Sequence, residues 1–193
     1  MDLASLGTGP LADVSDPAAI VSSERVFQGK VWDIYSDTVR FAGGEMTREY
    51  MKHSGAVAVL ALDDDGKVLL INQYRQPIKV RDWELPAGLL DVDGEPPLEA
   101  AKRELAEETD LVAAQWSPLI RFNSTPGGSN EVIHIFEARG LSASPKSHHR
   151  TDEEAEIVVR WVALDEVVAA ALDGRLSNAP LIIAVLAAHA RRQ

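Results

Sequence analysis

In the middle of this chain the apolar residues stop alternating and run together. Gly55 to Leu62 and Lys67 to Gln73 are almost unbroken in hydrophobic character, and the Asp63-Asp64-Asp65-Gly66 segment between them is rich in turn formers. Runs of that length read as strands covered on both faces, so the pair is expected at the centre of a sheet. Upstream, between Glu24 and Lys52, Val31 to Tyr35 and Met46 to Met51 predict two strands turning at Gly43-Gly44, a small antiparallel unit. A further strand is expected from near Trp83 to Ala87-Gly88. There the period changes. Leu98, Ala101 and Leu105 recur at helical steps after Pro97, whose missing N–H is harmless in a first turn. Later come strands over 131–138 and 156–164, a helix over 165–172 stopped by Gly174, and a capped helix over 178–191. Trp83, Trp116 and Trp161 read as core and His134 as strand packing, while Trp32 stays open between the two. Residues 1–20 read as a frayed end, and no repeat occurs.

Composition narrows the partners more than the fold. With 193 residues, 46% of them hydrophobic, the chain suits one core-bearing domain and a small accessory segment. A formal charge of −11 argues against polymeric nucleic acid and against an anionic membrane, both of which call for a basic surface. An anionic substrate must therefore be small. The absence of cysteine excludes disulfides, a thiolate nucleophile and a cysteine-based zinc site, and it is compatible with the cytoplasm. The chain does not open on a basic stretch followed by an apolar core, so no signal peptide is expected, and its apolar runs are too short to span a bilayer.

The chemistry concentrates in the helix after Pro97. Glu104 and Glu108 are four apart and Glu107 is three from Glu104, so the three acids share a face. Like charges so placed weaken their own helix unless a cation lies between them or they face open water. Oxygen donors alone favour Mg²⁺ or Mn²⁺, whereas a solvated acidic face is the plain alternative. The segment before the helix favours the metal: Gly88 lets backbone carbonyls approach an ion or phosphate.

Gly88, Glu95, Arg103, Glu104, Leu105, Glu107, Glu108 and Leu111 resemble the Nudix box, in which a glycine, a glutamate and an Arg-Glu-aliphatic-any-Glu-Glu run stand at fixed spacing. Two departures stand out. One extra residue separates Gly88 from Glu95, and Asp110 occupies the position of a glycine at the helix end, where positive φ is common. The resemblance covers roughly residues 53–191 and implies an α/β/α sandwich with a mixed sheet over 53–193. Residues 1–52 then form an N-terminal tail and antiparallel β unit, which in the similar ADP-ribose pyrophosphatase branch mediates homodimerisation and helps build the substrate site.

That branch also resembles this chain at Pro126, sixteen residues after Asp110, in a loop that offers Gly127, Gly128 and Glu131 as substrate contacts. Its Gln-Tyr-Arg segment is matched by Gln73-Tyr74-Arg75, which implies that Arg75 meets a phosphate. Arg48 for phosphate and Glu84 for adenosine or ribose complete the implied contacts. By the same resemblance the Ala87 carbonyl, Glu104 and Glu108 ligate metal directly, Glu107 does so directly or through water, and Arg103 holds a glutamate in place. Glu95 supports the loop. Glu153 is the implied general base, with Glu154 in reserve, while His148 and His149 read as loop surface. The implied reaction uses two or three Mg²⁺ or Mn²⁺ ions and water to split ADP-ribose into AMP and ribose 5-phosphate. The alternatives are another nucleoside-diphosphate sugar, such as ADP-glucose or GDP-mannose, and a non-catalytic nucleotide sensor.

Overall fold

From Val57 onward the residues of β4 (Ala56–Ala61) are buried, and they divide by parity. Ala58 and Leu60, with Leu62 just beyond, pack with Val167, Leu181 and Val185, whereas Val57, Val59 and Ala61 pack with Ala100, Ala101 and Leu105. Successive side chains of a strand point to opposite faces, so β4 is a wall between two hydrophobic layers. One layer is closed by α1 (Pro97–Thr109) and the other by α2 (Leu164–Leu172) and α3 (Ala179–Arg191). This is the helix–sheet–helix sandwich of an α/β fold. The computed structural model describes residues 10–148, 150 and 156–192, and the chain divides into two compact units, Met1–Tyr50 and Met51–Gln193.

The second unit holds two sheets. In the mixed one, β7 (Ala87–Leu89) and β9 (Val132–Ala143) flank β4, and β8 (Leu111–Asn123) forms the edge beside β9; only the β4–β9 pairing is parallel. The other places β5 (Lys67–Arg75) between β10 (Val158–Ala163) and β6 (Val80–Glu84), all antiparallel. The two apolar runs are therefore not partners at one sheet's centre. They share a single bridge, Leu62 to Val68, and then part so that each becomes the centre of its own sheet. Turn residues between two strands bring the chain round without dictating that the strands pair along their length.

Three further elements depart from the pattern. The expected strand from Trp83 to Gly88 is split, with β6 ending at Glu84 and β7 starting at Ala87 in the other sheet. β8 was not foreshadowed, because only Leu119 of its thirteen residues is buried and Pro118 sits at a register shift. Trp161 is exposed, since β10 turns most of its residues outward. The helices agree better with their signals: Asn178 caps α3 by accepting the Leu181 N–H, 3.1 Å. Among the described residues no helix is long and apolar enough to cross a membrane.

The first unit is a three-stranded sheet, β1 (Ile20–Gln28), β2 (Asp33–Phe41) and β3 (Gly44–Lys52) in that order. Its hairpin turns one residue early: Ala42 and Gly43 take φ of 50° and 81°, the paired left-handed values of a two-residue turn whose twist matches its strands, and Gly44 opens β3. β1 falls where a frayed segment was expected to end, and every one of its residues is exposed.

Candidate active site

α1 sets the acids. Pro97 starts it without wasting a donor, Ala100, Ala101 and Leu105 bury one stripe, and that packing carries Glu104 and Glu108 inward as well. The acids are therefore not a solvated face. Glu104 is 8% and Glu108 3% exposed, while Glu107 stays half-buried. Both buried carboxylates meet the start of β7. The Ala87 N–H donates to Glu108 Oε2 at 2.8 Å, and the Glu104 carboxylate occupies the space a side chain at residue 88 would need: a Cβ built on Gly88 would lie 2.0 Å from it. Gly88 is thus required for close approach rather than for its backbone angles.

One guanidinium threads this cluster. Arg103 Nη1 donates to Glu104 Oε1 at 2.6 Å and Glu107 Oε2 at 3.0 Å, while its Nε and Nη2 take the two oxygens of Glu95 at 3.2 and 3.0 Å. The hydrogen bond to Glu95 is the largest influence holding the Arg103 proton more firmly than usual, and in return it keeps the Glu95 carboxyl below the usual carboxylate range. Among the described residues no three acids or imidazoles converge on a single point. Three carboxylates around one arginine still leave a net negative charge. With the Glu108 carboxylate alongside on the Ala87 N–H, these hard oxygen donors fit a divalent cation in type.

A second constellation lies across β5 and β6. Arg75 forms a fork with buried Glu84, Nε to Oε1 and Nη2 to Oε2 both at 2.7 Å, and Gln73 Nε2 lies 3.4 Å from Glu84 Oε2. Two residues singled out for substrate contact are thereby brought together, and this edge of Arg75 is committed to a carboxylate of the same chain.

The Pro126 loop is held by its stem. Gly128 and Ser129 both return N–H groups to the Thr125 carbonyl at 2.9 Å, the Gly128 carbonyl accepts from Met51 N–H at 2.9 Å, and Asn130 Oδ1 accepts the His53 N–H at 2.8 Å. Gly127 and Gly128 are exposed at the tip. Glu131 is turned to this stem: its carboxylate meets Ser124 and, at 3.1 Å, the Nε2 of buried His53. His53 Nδ1 accepts from Gly55 N–H at 2.9 Å, which leaves the proton on Nε2 and makes Nε2 the donor to Glu131. Nothing in the sequence marked His53, because its partner lies far along the chain.

At the end of α1 Asp110 adopts φ 56°, ψ 31°, the left-handed cap conformation. Its carboxyl is held below the usual range, first by the His148 backbone N–H and then by Arg150. Arg48 lies on β3 in the first unit, where its Nη1 donates to the Thr47 carbonyl at 2.8 Å. Glu153, Glu154 and His149 lie outside the described residues.

Comparison with known proteins decides what this acid-bearing loop and helix belong to. Residues 51–184 match the model of the NUDIX domain. The chain belongs to the Nudix family. An ADP-ribose pyrophosphatase of Mycobacterium tuberculosis is 42% identical over 173 residues, which span 88% of this chain and 82% of the relative. An ADP-ribose pyrophosphatase of Bacillus subtilis is 38% identical over 149 residues, 77% and 80% of the two chains. A crystal structure described as an ADP compounds hydrolase superposes with a TM-score of 0.76 over 92% of this chain and 95% of the other; at 22% identity it speaks for the fold alone. The segment from Gly88 to Leu111, which resembles the Nudix box, lies within the matched residues, and in it Glu104 closes on Gly88 and Glu108 on Ala87.

Proposed function

We propose that this Nudix hydrolase cleaves the pyrophosphate of ADP-ribose with water, giving AMP and ribose 5-phosphate, in the cytoplasm. The observation that carries the reading is the seating of the Glu104 carboxylate on Gly88, beside the Glu108–Ala87 contact. The 42% and 38% identical relatives named as ADP-ribose pyrophosphatases supply the substrate, and the cysteine-free composition agrees with a reducing compartment.

A diphosphate is a repulsive anionic electrophile. Two or three Mg²⁺ or Mn²⁺ ions, held by Glu104, Glu107, Glu108 and the Ala87 carbonyl, would supply charge neutralisation and acidify water. The chain's own residues do the rest. Arg103 orients Glu104 and Glu107 and is itself fixed by Glu95. Glu153, or Glu154 in its place, accepts the proton of the attacking water. Arg75 and Arg48 face the phosphates, Glu84 the adenosine or ribose, and the Gly127-Gly128 tip closes on the substrate, with Glu131 bracing it through His53. The exposed apolar residues of the first unit, Ile20, Val26, Phe27 and Phe41 among them, support a homodimer through that sheet.

The test is release of AMP and ribose 5-phosphate from ADP-ribose with Mg²⁺ or Mn²⁺, set against ADP-glucose and GDP-mannose. Release specific to ADP-ribose, falling by ~10²–10³-fold in Glu108→Gln, is the expected result. Saturable binding without turnover on any of the three would instead make the protein a nucleotide sensor.

A further inference from the structure

The Nudix box pattern has glycine where this chain has Asp110, and the structure gives that side chain an occupation no glycine has. Oδ1 accepts the His148 N–H at 3.1 Å, and Oδ2 accepts from Arg150 Nη2 at 2.6 Å. Arg150 also donates from Nε to the Glu107 carbonyl at 3.0 Å, and the Asp110 carbonyl accepts the Ser144 N–H at 2.8 Å. Ser144, His148 and Arg150 therefore touch the end of α1 through four hydrogen bonds, and two of them depend on the Asp110 carboxylate.

Electrostatics explain why the two residues belong together. The last turn of α1 contains no basic residue, and the carbonyl end of a helix carries partial negative charge, so an aspartate there is unfavourable alone. Arg150 offsets both at once, meeting the Asp110 carboxylate and one of the helix's last carbonyls. That carbonyl belongs to Glu107, and Glu108 follows it directly.

We infer that Asp110 and Arg150 are positioning residues that fix the last turn of α1, and with it the Glu107 and Glu108 carboxylates, for binding a divalent cation. The pair touches no substrate. It acts as the outer partners of metal ligands commonly do, where loss of such a partner weakens affinity by ~10–100-fold. The inference rests on the proposed metal site but not on the identity of the substrate.

Asp110→Gly separates this role from a merely structural one, because glycine keeps both backbone bonds of the cap and is at ease at positive φ. Its unfolding temperature should be no lower than wild type. Its Mn²⁺ affinity, read by electron paramagnetic resonance of the free ion without substrate, should be ~10–100-fold weaker. Asp110→Asn, which keeps an acceptor for His148 but loses the charge, should fall between. Arg150→Ala should match Asp110→Gly, and the double variant should be no worse than either single one, since the two remove one shared interaction. Mn²⁺ affinity within twofold of wild type in both single variants overturns the inference. A wild type that binds Mn²⁺ but releases no AMP overturns the proposed function and leaves the clamp standing on its own readout. A wild type with no affinity for Mn²⁺ overturns both.

Discussion

β4 and β1 are both strands rich in residues suited to strands, yet they meet opposite fates. From Val57 on, every residue of β4 is buried, and Leu60 is 0% exposed. Every residue of β1 is exposed, and Phe27 is 59% exposed. The difference is coverage: β4 lies between α1 on one face and α2 with α3 on the other, whereas among the described residues the three-stranded sheet has no helix of its own unit. A sheet bearing uncovered apolar residues is an interaction surface in waiting. The second unit thus carries a core on both faces of β4, whereas β1 of the first leaves its apolar residues on the surface.

The strongest way to break this comparison is to remove the first unit. Deleting residues 1–52 should abolish both the proposed dimer and AMP release while leaving a cooperative unfolding transition, as read by sedimentation, product assay and thermal melt. An active monomer would show that the sheet serves neither assembly nor the site. A milder pair of substitutions sharpens it. Leu60→Ala should destabilise the fold by about 2–5 kcal/mol in denaturant titration, because the cavity it leaves is enclosed on all sides. Phe27→Ala should change unfolding of the dilute monomer by only about ±0.5 kcal/mol but weaken the dimer, since its apolar surface counts only once a second copy covers it. Equal losses from both substitutions would mean that β1 is already covered within one chain.

The contrast also explains what could be read from the sequence. α1 was legible because three local signals coincide: Pro97 at the start, the Leu98-Ala101-Leu105 stripe, and acids at fixed spacing. Burial of β4 and β5 was legible from their apolar runs, but partner choice was not, since a strand's composition reports how covered it is and not which neighbour covers it. β8 escaped because just one of its residues is buried, and β1 because every one of its residues is exposed. The site divides in the same way. Gly88 and the acids follow from spacing, whereas the Arg75–Glu84 fork joins residues nine apart across two strands and the Asp110–Arg150 pair residues forty apart. Such pairings depend on register and on loop paths, which local pattern does not encode.

The smallest effect concerns His134, on β9 opposite Arg121 of β8 and beside Val57 of β4. Burial first, and the Arg121 charge second, lower its pKa from the ordinary value of 6.5. Above that value the imidazole is neutral whether the chain is folded or not, and His134 adds no pH dependence. As the pH falls through 6.5 the unfolded chain takes up the proton first, so stability is lost until the folded-state pKa is also passed. The direction is thus set by placement in the covered sheet. Thermal melts from pH 7.5 down to 5.5 should decline less steeply for His134→Gln than for wild type, and the imidazole should titrate below 6.5 by NMR. Parallel declines, or titration at or above 6.5, would mean that β9 is open to water at this position and that the covered sheet is less sealed than β4 alone implies.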